Sequence, residues 1–136
     1  MPQNSHSGAE ANAFGRKTAR KIAPAIGATL IGRGSNEAML NGRHVVIKCA
    51  RVRTPGVGVS YRMLPTLHAI VGAFQRDDGA FDVVSLDAEV FGERMTETRS
   101  TGPSARRVGI VTKRVFDEEG EHIATVRIAE ESKTSK

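Results

Sequence analysis

The dipeptide Asn41-Gly42 constrains this chain more than any other pair of residues. Both residue types tolerate positive φ, so together they form the two-residue primed turn that joins antiparallel strands. The flanks comply. Residues 37–40 (EAML) precede the turn and residues 43–52 (RHVVIKCARV) follow it. The middle of the second strand, 45–50 (VVIKCA), is apolar except for one lysine, Lys48. Three readings of that ammonium stay open. Its stem can pack while its head reaches water or Glu37. It can contact a phosphate. It can belong to a site that cleaves phosphodiesters.

Two further hairpins are expected on the same grounds. One runs 67–75, turn 76–79, 80–86; the other 108–116, turn 117–120, 121–128. Both are rich in β-branched residues and bounded by Gly and Asp. Residues 13–30 are rich in Ala and basic side chains and read as a helix, with Pro24 as a break and Gly27 and the Gly32–Ser35 group as stops. Residues 87–96 read as a short helix, with Asp87 as N-cap and Glu89 in the first turn. Residues 54–65 begin as a Gly/Pro-rich loop, and the stretch SYRML is left open between helix and strand. The tails 1–13 and 130–136 read as disordered, leaving a single domain at 14–129. The expected class is α+β: an N-terminal helix packed on a mixed, mostly antiparallel sheet.

Charge is segregated along the chain. Residues 14–62 hold ten Lys and Arg against one acid, Glu37, a net +9; residues 63–99 hold three Arg against seven acids, a net −4. Such separation favours a polyanionic partner, nucleic acid first. The candidate contacts are Arg16, Lys17, Arg20, Lys21, Arg33, Arg43, Arg51, Arg53, Arg106 and Arg107. Lys17, Arg20 and Lys21 form one helical stripe by their i, i+3, i+4 spacing. Arg106 and Arg107 end a Ser/Thr-rich basic loop at 97–107. Aromatic residues are too few for a base-stacking platform, so the phosphates of duplex DNA are the favoured target. The bland reading is a set of solvated faces, or halves that neutralise each other in the fold.

Several classes are excluded. The single cysteine, Cys49, rules out an internal disulfide framework and a cysteine-rich zinc site. The four histidines stand at no metal-ligand spacing. No apolar run approaches the roughly 20 residues that span a bilayer. A bacterial-type cytoplasmic protein is the expectation.

Taken together, the helix, Glu37 opening a strand, the hairpin, and Lys48 on the returning strand resemble the PD-(D/E)XK restriction-endonuclease-like superfamily. The later strands HAIVGAF and AFDVVSL and the helix at 87–96 fall where the resemblance places them, over residues 13–96. It implies a nuclease-like core in which Glu37 and Lys48 are the catalytic pair and Glu37 holds Mg²⁺. Two departures stand out. Val46 occupies the position of the acid two before the lysine, and the helix 13–30 has no acid near Ala19. The resemblance therefore implies either a scaffold with a degraded site or an acid supplied from elsewhere, with Glu10, Asp82 and Asp87 as candidates. Three functions are carried forward: a DNA-binding protein on a nuclease-like scaffold, a divalent-metal-dependent endonuclease, and a non-catalytic interaction subunit that can form a homo-oligomer.

Overall fold

The structure is a computed structural model that describes residues 2–31, 36–97 and 108–128, with side chains over 14–31, 36–96 and 108–128. The chain runs α1 (Pro2–Ala25), β1 (Ala28–Leu30), β2 (Glu37–Leu40), β3 (Arg43–Ala50), β4 (Gly56–Ser60), a 3-10 turn (Leu64–Thr66), β5 (Ala69–Gln75), β6 (Phe81–Asp87), α2 (Ala88–Arg94), β7 (Thr96–Glu97), β8 (Val108–Thr112), α3 (Lys113–Glu119) and β9 (Glu121–Val126). The fold is α+β, as expected.

A six-stranded mixed sheet has the order β1-β2-β3-β5-β6-β9, and a three-stranded antiparallel sheet has the order β4-β8-β7. Strands β3 and β5 are parallel; the other neighbours in the large sheet are antiparallel. The turn between β2 and β3 has φ of 55° at Asn41 and 77° at Gly42, the doubly positive pair a primed turn requires.

Both faces of the large sheet are covered, which explains the uninterrupted apolar runs in its centre. Ala19, Ile22 and Ala23 of α1 bury Val45, Ile47, Val71 and Val83 on one face. On the other, Val46, Ile70, Phe74, Val84 and Leu86 meet Val57, Val59 and Val111 of the small sheet. Phe91 of α2 and Phe116 of α3 close that second core.

Three expectations are corrected. The segment 113–119 is a helix rather than strand and turn, so 108–116 and 121–128 form no hairpin. Its side chains explain why: Lys113–Asp117 (2.8 Å) and Arg114–Glu118 (3.1 Å) pair at i, i+4, while Phe116 turns into the core. Its flanking strands β8 and β9 then fall in different sheets. The first helix ends at Ala25, not 30, one residue past Pro24, and starts at Pro2, a position where proline lacks nothing a helix needs. Gly27 follows at φ 80°, and 28–30 pair with β2 as a strand. Asp87 stands at the N-cap position of α2, yet its side chain makes no capping bond.

Candidate nucleic-acid interface

Helix α1 divides its side chains by period. Thr18, Ala19, Ile22 and Ala23 are buried against the sheet, while Arg16, Lys17 and Arg20 are exposed and Lys21 is half-buried. The sequence between 14 and 25 contains no acid, so this outer face has one sign. Arg51, the residue after β3, joins it: its guanidinium carbon lies 4.3 Å from the centroid of the Phe14 ring. That cation–π contact holds Arg51 beside the middle of α1. Arg53, also exposed, follows two residues on. Strand β3 ends at Ala50, short of the expected 52, so Arg51 and Arg53 both lie beyond it.

Several ion pairs lie elsewhere. Arg76–Asp78 (3.3 Å), Arg76–Asp82 (3.6 Å) and Arg127–Asp78 (3.5 Å) tie the β5–β6 turn to the chain after β9. Arg94–Glu119 (3.0 Å) and the two pairs within α3 neutralise the side opposite α1. Among the described residues, no ion pair involves Arg16, Lys17, Arg20, Arg51 or Arg53. Arg43 does not belong to this face. It sits at the other end of eight-residue β3, roughly 25 Å from Arg51 at strand rise, and contacts His68 Nε2 at 2.8 Å. Arg33, Arg106 and Arg107 lie outside the described residues.

Glu37 and Lys48 do share a face of the sheet, the one turned away from α1. Glu37 is directly opposite Val46, and Lys48 is two residues further along β3. The contact Glu37 makes across the hairpin, however, is to His44: Nε2 lies 2.8 Å from Oε1. His44 Nδ1 lies 3.0 Å from the Thr66 carbonyl. A carbonyl only accepts, so Nδ1 carries a proton. His44 thus clamps the hairpin to the 3-10 turn. The sequence reading missed it, although a two-residue turn makes 44 the diagonal neighbour of 37.

No protein-family model, curated protein or solved structure matches the chain.

Among the described residues no donor set is assembled for Mg²⁺. Glu37 Oε1 is committed to His44, Val46 stands opposite it, and no group of three or more His, Cys, Asp or Glu side chains is placed to hold a metal among the described residues. Asp82 and Asp87 lie on β6, separated from β3 by β5, and the side chain of Glu10 is outside the described set.

Lys48 neighbours Gly72 on β5, which offers it no side chain. Burial holds the Lys48 ammonium below the ordinary lysine range, with neighbouring Cys49 acting more weakly in the other direction. Burial likewise pushes the Cys49 thiol up to about 12, leaving it a poor nucleophile. These shifts have opposite consequences. Below the folded pKa of Lys48 both states carry the proton, and the burial cost stands in full. Above it the unfolded chain binds more protons, so stability rises with pH until the unfolded lysine titrates near 10.5. Between 9.0 and about 12 the folded Cys49 keeps a proton that the unfolded chain has lost, so stability falls. In a Cys49→Ala background, Lys48→Met should stabilise at pH 7 by about 0.5–2 kcal/mol. That advantage should shrink toward pH 10.5, as read by urea unfolding at each pH.

Proposed function

We propose that this protein binds nucleic acid, duplex DNA first, through phosphate contacts from the outer face of α1 and from Arg51 and Arg53. The observation that carries the reading is the segregation of charge: exposed Arg16, Lys17 and Arg20 have no ion-pair partner among the described residues, while the opposite side is self-neutralised. Counterion release from the phosphates supplies the affinity. A stacking mode is disfavoured because Phe74, Phe91 and Phe116 are buried and Phe14 is covered by Arg51. Fluorescence anisotropy of a labelled duplex tests this: binding at low salt that weakens steeply with added salt supports it, and no binding at low salt overturns it. No helix among the described residues is long and apolar enough to cross a membrane. The free thiol of Cys49 suits a reducing compartment, and we assign the protein to the cytoplasm on that ground.

A nuclease-like scaffold without the reaction is the companion proposal. The N-terminal helix, the β1–β3 meander and the shared face of Glu37 and Lys48 support the scaffold. The commitment of Glu37 to His44, and Val46 opposite it, argue against cleavage. Wild type, Glu37→Ala and Lys48→Ala should all leave plasmid DNA intact with Mg²⁺ or Mn²⁺. Cleavage by wild type that both substitutions abolish would reinstate the endonuclease.

A further inference from the structure

Helix α1 crosses its face of the sheet on a diagonal. Midway along it, Phe14 lies over Phe81, ring centroids 6.4 Å apart. Just past its C-terminal end, Ile26 lies toward Leu40 and Val45. Among the described residues, nothing covers the corner over the start of β5, the end of β6 and the start of β9. A cleft of about 520 Å³ opens there, within the roughly 300–1,000 Å³ typical of small-molecule sites.

Its chemistry has three parts. The floor is apolar, with Val45, Ala69 and Ile123. One wall carries Arg43, whose guanidinium donates to His68 Nε2 at 2.8 Å. Nε2 is then the acceptor, and Arg43 is the cation of that wall. The other wall carries Asp87 and Glu121. Glu121 is paired with Ser85, and Asp87 follows Ser85 by two, so both carboxylates project to the α1 side of the sheet. Both residues are exposed, and neither carboxylate has a hydrogen bond or ion pair among the described residues. A cation facing two uncommitted carboxylates across an apolar floor is complementary to a dipolar molecule.

We propose that this cleft binds a small zwitterion. An ammonium or guanidinium sits between Asp87 and Glu121, a carboxylate or phosphate meets Arg43, and an apolar body lies on Val45, Ala69 and Ile123. The site is separate from the α1 face and does not rest on the nucleic-acid reading.

The test is a ¹H–¹⁵N titration of the full chain with 6-aminohexanoate, hexylamine and hexanoate, each to ~20 mM because millimolar affinity is enough to see. The expected result is saturable shifts at the amides of Ala69, Ser85 and Ile123 with 6-aminohexanoate. Hexylamine and hexanoate, each missing one charge-assisted contact, should bind about tenfold more weakly. Arg43→Gln and Glu121→Gln should each weaken 6-aminohexanoate by a similar factor, and duplex DNA affinity should be unchanged in Glu121→Gln. Absence of shifts at these amides, equal binding of all three probes, or undiminished binding in both variants would overturn the proposal.

Discussion

Affinity for a short duplex should fall about 100-fold between roughly 50 and 200 mM salt. That is the consequence of about four phosphate contacts and a slope near −0.9 per contact on logarithmic axes. Four is the number of cations that the fold groups most closely: Arg16, Lys17 and Arg20 on the outer face of α1, and Arg51 held beside them through Phe14. The triple variant Arg16→Gln, Lys17→Gln, Arg20→Gln removes three of these, so its slope should drop to about −1. The three side chains are exposed, so the fold should tolerate their loss. The matched control is Arg94→Gln, Lys113→Gln, Arg114→Gln, which removes as many charges from the side where they are already paired. Anisotropy titrations at four salt concentrations separate the two variants. Equal losses in both would mean that net charge alone drives binding and that the α1 face is not the interface.

Phe116→Ala should cost about 3–5 kcal/mol, the range for truncating a fully buried aromatic. Phe116 has no exposed surface and joins three elements. Its ring is edge-on to Phe74 of β5, centroids 5.1 Å apart at 67°, and to Phe91 of α2, 6.3 Å at 78°. Removing it leaves a cavity under α3 and deletes both aromatic contacts. Against a total stability of about 5–15 kcal/mol this is a large share. The midpoint of urea unfolding should fall sharply with the slope unchanged. Val115→Ala, one residue back and only half-buried, should cost much less. A loss for Phe116→Ala no greater than that of Val115→Ala would contradict the packing described for α3.

The features legible in the sequence are those encoded locally. Asn41-Gly42 gave the first hairpin its turn and, through it, the register that sets Glu37 opposite Val46. The α1 stripe was visible because helical spacing groups Lys17, Arg20 and Lys21; the first two are exposed and Lys21 is half-buried. The failures are non-local. Residues 113–119 carry adjacent Val115 and Phe116, which read as strand. Helix wins because tertiary contact buries Phe116 while the flanking charges pair on the outside. Gly56-Val57-Gly58 looked like a loop, yet β4 pairs with β8 far along the chain. A side chain at Gly56 would meet the Val111 carbonyl oxygen at 2.5 Å, so the glycine serves a close strand approach that no neighbouring residue announces. The site divides in the same way. Arg51 was on the list of candidates, but only the fold brings it to Phe14. His44 was passed over because its role depends on Thr66, 22 residues away.

The parallel seam between β3 and β5 has a consequence for the growing chain. Residues 45–50 of β3 each find their β5 partner 24 positions later, as Val45 finds Ala69 and Ala50 finds Phe74. The β2–β3 hairpin can close as soon as its turn is made, whereas the seam must wait for a long loop. In that interval the apolar strand RHVVIKCA presents an open edge, the kind of template on which nascent chains aggregate. Lys48 stands in the middle of it. The ammonium that burdens the finished sheet is then a guard on the unfinished one, a charge at the edge that discourages pairing with a second molecule. The stabilised Lys48→Met chain should accordingly scatter more light than wild type on rapid dilution from urea, and equal scattering would show that the edge needs no such protection.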